Sequence, residues 1–86
     1  MNDSTTNSLI VDYAKNIKNK EVATISFIQD FLATNPANPD QIDVTYYLYN
    51  VKYTDNQEDH YIYVVNESSQ MVILADQTII DEIFTK

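Results

Sequence analysis

The sequence predicts an α+β domain: a three-stranded antiparallel β-meander packed on an N-terminal helix, or two, and a short C-terminal helix, in the order α-β-β-β-α. Three observations carry this. Residues 42–53, 59–65 and 70–75 are rich in β-branched and aromatic side chains. The links between these runs are short, which favours antiparallel neighbours. Upstream of Thr34 and downstream of Ala75, apolar residues recur at helical spacing.

Residues 1–8 are polar and are expected to fray, leaving 9–86 as a single folded domain. From Leu9 to Thr34 no proline or glycine interrupts the chain. Ile10, Tyr13, Ala14 and Ile17 sit at helical spacing, and so do Val22, Ile25, Ile28 and Leu32. A break is expected at Lys18-Asn19-Lys20, because asparagine suits a helix C-terminus and lysines suit its negative end. A second helix is therefore expected over 21–34, lying flat on the core. Asn35-Pro36-Ala37-Asn38-Pro39 then ends it, since a residue before proline is pushed out of the helical region.

The first strand is expected over 42–53 and the second over 59–65, separated by a turn at Thr54-Asp55-Asn56-Gln57-Glu58. A second turn, Asn66-Glu67-Ser68-Ser69, leads to a third strand over 70–75. Thr78-Ile79-Ile80-Asp81 reads as a helix start with a threonine cap, followed by an apolar face of Ile79, Ile80, Ile83 and Phe84.

Composition excludes several chemistries. Cysteine is absent, so disulfides, thiolate zinc sites and cysteine nucleophiles are absent too. Glycine is also absent, which removes phosphate-binding loops, dinucleotide turns and nucleophile elbows. Left-handed turn positions must fall to the nine asparagines and to aspartate. The lone His60 has no nucleophile–base arrangement around it, since Asp59 next to it points to the opposite face of a strand. Asp55-Asn56-Gln57-Glu58-Asp59-His60 is oxygen-rich but lacks the ligand spacing and glycine of a calcium loop. No catalytic residue, cofactor or metal is expected.

Charge is the strongest functional signal. Beyond Lys20 the chain carries eleven acids and only two bases, and the whole chain has a net charge of −8 and no arginine. Such a surface repels nucleic acid and anionic membranes and attracts basic proteins. No apolar run approaches the roughly 18–20 residues that cross a bilayer, and the start lacks the pattern of a signal peptide, so a cytoplasmic location is expected. The α-β-β-β-α order is also that of double-stranded-RNA-binding domains. Their last helix is basic, whereas here it carries Asp76, Asp81 and Glu82, so direct nucleic-acid binding is not expected.

Two groups of residues stand out as partner-binding. Asp55, Glu58 and Asp59 cluster at a hairpin tip, which reaches furthest into a groove. Tyr47, Tyr49, Tyr53, Tyr61 and Tyr63 lie in two adjacent strands and suit an exposed, adhesive sheet face. The sequence leaves open which of them share a face. In size and charge alone, the chain is similar to phage inhibitors of host nucleases and to immunity proteins. The expected function is that of a non-enzymatic acidic inhibitor, of the phage counter-defence or immunity type. It would present a phosphate-mimicking surface to a basic, nucleic-acid-handling protein such as a nuclease. The alternative is a small oligomerising protein, a homodimer through the tyrosine face, with the charge serving solubility.

Overall fold

A computed structural model describes residues 4–35, 37–66 and 69–84. Met1–Asp3, Pro36 of the proline-rich connector, Glu67 and Ser68 of the second turn, and Thr85 and Lys86 lie outside the described residues. The elements are α1 (Ser4–Lys18), β1 (Val22–Asn35), β2 (Asn38–Tyr53), β3 (Glu58–Asn66), β4 (Gln70–Ala75) and α2 (Gln77–Phe84). The four strands form one antiparallel sheet in the order β1-β2-β3-β4. The α+β class holds, with one strand more than the sequence predicts.

The fourth strand is β1, and it corrects the helix expected over 21–34. Seven of its fourteen residues are β-branched or aromatic, a composition that fits a pleated sheet. The helical spacing of its apolar residues arises from two β-bulges. Val22 and Thr24 pair with the consecutive Tyr53 and Lys52, leaving Ala23 extra, and Phe27 and Gln29 pair with Tyr49 and Leu48, leaving Ile28 extra. Each bulge shifts the alternation by one residue. The face that would read i, i+2, i+4 instead reads Val22, Ile25, Phe27, Asp30, Leu32. β1 and β2 accordingly pair as the two arms of a long hairpin as far as Asn35↔Asn38, not as a helix followed by a strand. This ribbon contributes to the elongated shape, 45 × 25 × 19 Å.

The break at Asn19 is as expected. Asn19 takes a left-handed conformation (φ 56°), and the Lys20 N–H donates to the Lys15 carbonyl at 3.3 Å, closing α1 in a Schellman-type cap. Asn56 also takes a positive φ, 71°, at the β2–β3 turn. There the Asn56 N–H donates to the Tyr53 carbonyl and the Gln57 N–H to Asp55 Oδ1, a three-residue loop built on a tight turn. Asparagine thus fills the left-handed positions that glycine usually takes.

Two further expectations are corrected at the helix starts. α1 begins at Ser4 rather than after residue 8, because Thr6 is buried in line with Ile10 and Ala14. That i, i+4, i+8 stripe lies on the sheet. α2 is capped by Asp76, whose Oδ1 accepts from the Ile79 N–H at 2.9 Å; Thr78 sits inside the first turn.

The sheet is covered on both faces. On one face α1 packs Ile10, Ala14 and Tyr13 against Tyr49, Val51, Tyr53, Tyr61 and Tyr63. On the other, α2 packs Ile80, with Ile79, Ile83 and Phe84, against Leu48, Ile62 and Ala75. The Phe84 ring meets Phe31 of β1 edge to face, 6.3 Å between centroids.

Candidate protein-binding surface

Register fixes which side chains share a face. On β2 and β3 the pairs Tyr47↔Tyr63 and Tyr49↔Tyr61 lie directly across from one another. All five singled-out tyrosines therefore lie on the α1 side of the sheet. This corrects the exposed tyrosine face. Tyr49, Tyr53, Tyr61 and Tyr63 are buried, and they are the core beneath α1. Only Tyr47 reaches the rim, half-buried and stacked on Tyr63 at 6.0 Å.

The polar tips of these rings find partners inside. The Tyr53 and Tyr61 hydroxyls hydrogen-bond to each other, and the Tyr63 hydroxyl donates to Gln70 Oε1. Burial pushes the Tyr53 phenol well above its ordinary value, helped by the bond to Tyr61 and the nearby Asp59 carboxylate. Burial also raises Tyr61, and Asp59 adds to it, against the opposing effect of the Tyr53 bond. Tyr47 is raised by burial and by the charge of Asp30.

The acidic hairpin tip is not a free negative cluster. The Thr54 N–H donates to the Glu21 carbonyl at 3.1 Å, which holds the tip against the end of α1 and its lysines. Lys20 Nζ lies 2.9 Å from Asp55, Lys18 Nζ 3.5 Å from Asp59 and Lys15 Nζ 3.2 Å from Glu21. Glu58 pairs in register with Lys52. The Lys20 bond, then the Gln57 N–H, holds the Asp55 carboxyl below the usual range. Four lysines face four acids at this end, and the local charge is near zero.

The net charge of −8 therefore resides elsewhere. Asp12 on α1, Asp30 on β1, Asp40 and Asp43 on β2, and Asp76, Asp81 and Glu82 at α2 carry it among the described residues. No lysine occurs in β1, β3, β4 or α2. Asp43 is the extra residue of a third bulge, since Ala33 and Thr34 pair with Val44 and Ile42.

α1 leaves one corner of its face open. It runs from the side of β4, where Leu9 and Tyr13 border a cleft with Tyr63, Gln70, Met71 and Val72, to its end beside Val22. Beyond it Phe27 and Leu32 of β1 stay 37% and 52% exposed, and the bulge residue Ile28 45%. Phe27 leans on Tyr47 and Tyr49, at 6.4 and 5.5 Å. Asp30 is exposed and pairs in register with Tyr47. Sequence reasoning missed this corner because it placed 21–34 in a helix. The signals present were the β-branched and aromatic content of the segment and the absence of lysine from 21 to 51.

His60 sits in β3 between Asn50 and Ala75, half-buried. Among the described residues, no three of His, Asp and Glu converge as a metal site, and no helix is long and apolar enough to cross a membrane. No protein-family profile, curated protein or solved structure matches the chain.

Proposed function

We propose that the protein is a non-enzymatic acidic binding protein that occupies the nucleic-acid site of a basic protein, such as a nuclease, and so inhibits it. One observation carries this reading: the charge is segregated. Three ion pairs and the register pair Lys52–Glu58 balance the charge where α1 ends against the β2–β3 turn, whereas Asp30, Asp76, Asp81 and Glu82 lie in or beside elements without a lysine, and Asp40 and Asp43 at the end of β2 away from Lys52. Charges needed for solubility alone require no such separation. A surface negative over α2 and the β1–β2 ribbon meets a positive channel with complementary potential, which speeds encounter and selects partners. The acids named first for contact, Asp55, Glu58 and Asp59, become a balanced end, and the contact moves to Asp30, Asp40, Asp43, Asp76, Asp81 and Glu82.

The test is competition. A panel of basic nucleases is titrated with the protein at low and high salt, with and without duplex DNA. The expected result is inhibition of at least one member, weakened by salt and relieved by excess DNA that lacks a cleavable site. Absence of binding to every basic protein at low salt would overturn the reading.

A further inference from the structure

We propose that β1 receives an extended, lysine- or arginine-bearing segment of a partner protein as a fifth strand of the sheet. The inference rests on the acidic-binding reading and names how and where the partner docks.

β1 is an edge strand of fourteen residues, so one side of its backbone has no strand neighbour among the described residues. Sheet edges are usually protected by lysine, proline, bulges or inward charges. β1 has bulges at Ala23 and Ile28, but from Gln29 to Ala33 it pairs without interruption with Leu48 to Val44, so its outer side is regular over the same five residues. No lysine guards it. The exposed Phe27 and Leu32 flank Asp30 on the α1 face of this stretch. An added strand would gain main-chain hydrogen bonds and cover these two side chains. The opposite face at this level is already occupied, because Phe31 meets Phe84 of α2.

Charge decides the occupant. Asp30 lies in the regular stretch, Asp43 at the bulge beside it and Asp40 further along the ribbon, while the nearest lysine on either strand is Lys52 at the far end of β2. A second copy would bring another chain of net charge −8 against these carboxylates. A segment alternating basic and apolar residues lays its cations along the α1 face with Asp30, their aliphatic stems over Phe27 and Leu32, and turns its apolar side chains to the face of Phe31.

The experiment uses the full chain, isotope-labelled for amide-resolved NMR, and three blocked octapeptides. One repeats Lys-Val. One repeats Lys-Val with alternate backbone nitrogens methylated, which keeps charge but prevents strand pairing. One repeats Glu-Val. Lys-Val is expected to bind and to slow amide exchange across Gln29–Ala33, with affinity lowered about tenfold by methylation and by Leu32→Lys. Asp30→Asn should lower it severalfold, and Glu-Val should not bind. Leu32 is exposed, so an unchanged melting temperature would show that Leu32→Lys preserves the fold. Equal binding of the methylated peptide, or protection confined to α2, would overturn the β1 inference and leave the acidic-binding reading standing. No binding of either lysine peptide at low salt would overturn both. Protection of Gln29–Ala33 that rises with protein concentration alone would assign the edge to a second copy and overturn the inference.

Discussion

Lys20 Nζ lies 2.9 Å from a carboxylate oxygen of Asp55, so the acid within the β2–β3 turn is neutralised by a lysine of its own chain. The same ammonium sits 5.4 Å from the centre of the Tyr53 ring, within cation–π range. The lysine thus joins the end of α1 to the turn and to the core beneath it. A carboxylate already held in this way has little charge left to offer a partner.

The first expected outcome concerns which acids steer association. Changing Asp55, Glu58 and Asp59 together to Asn, Gln and Asn turns a balanced end into a positive one, but that end lies several residues along the ribbon from Gln29–Ala33, so it should slow association with a lysine-rich probe less than changes beside that stretch do. Changing Asp30, Asp40 and Asp43 together to Asn should slow it about tenfold at low salt and hardly at all at high salt, where screening is complete within a few ångströms. Stopped-flow measurements at two ionic strengths check this. The opposite ranking would return the contact to the turn.

The parts of the fold legible in the sequence were those where one period dominates. β2 alternates from Val44 to Tyr53, and its Tyr47, Tyr49, Val51 and Tyr53 do share a face. Asn19 was readable as a helix end because a left-handed residue is needed there and no glycine exists to supply it. β1 was not readable by period, because the bulges at Ala23 and Ile28 stretch its apolar repeat toward a helical one. That error propagated to the site. A helix over 21–34 would itself be the cover of the sheet, and the five strand tyrosines would be more than so small a cover could hide. With 22–35 as a strand, α1 becomes the cover and the tyrosines become the core. The ion pairs of the tip were hidden for a related reason. Lys18 and Lys20 reach Asp59 and Asp55 only because the chain after α1 passes beside the turn, held there by the Thr54 N–H and the Glu21 carbonyl.

The buried Tyr53–Tyr61 hydroxyl pair should show coupling. Tyr53→Phe leaves the buried Tyr61 hydroxyl without its Tyr53 partner and should cost about 1–3 kcal/mol, and Tyr61→Phe, which leaves Tyr53 its contact with Asp59, should cost less. The double change removes both polar groups and keeps both rings, so its cost should fall well below the sum of the two. Urea unfolding of the four proteins in a double-mutant cycle measures this. Additive costs would mean that the two hydroxyls act independently.

Alkaline pH should destabilise the protein through the same residues. Burial raises the folded-state values of Tyr53 and Tyr61 above the 10.0 of an unhindered phenol. Above that pH the unfolded chain has released these protons while the folded chain retains them, so the folded state binds more protons and stability falls as pH rises. Below about pH 9 both states hold the protons and this contribution is constant. Phenolate absorbance followed alongside circular dichroism tests it. Tyr53 and Tyr61 should ionise only as the fold is lost. Full ionisation of all seven tyrosines with the circular dichroism unchanged would disprove it.

Truncation of Tyr49 and Tyr47 should separate core from rim. Tyr49 is fully buried, paired with Tyr61 across β2–β3 and in contact with Phe27. Removing a buried aromatic ring costs the lost transfer energy and leaves a cavity that the sheet closes only in part, so Tyr49→Ala should lower stability by about 3–5 kcal/mol. That is a large share of the roughly 5–15 kcal/mol available to a small domain, and Tyr49→Phe, which keeps the ring, serves as the folded control. Tyr47 is half-buried, with Phe27 and Tyr63 beside it and solvent at its rim. Tyr47→Ser should cost about 1–2 kcal/mol and leave the fold intact. If β1 is the docking edge, the same change should weaken binding of the Lys-Val peptide, because Tyr47 supports Phe27 and lies opposite Asp30. Equal stability losses at Tyr47 and Tyr49 would show that α1 covers the whole face and that the open corner does not exist in solution.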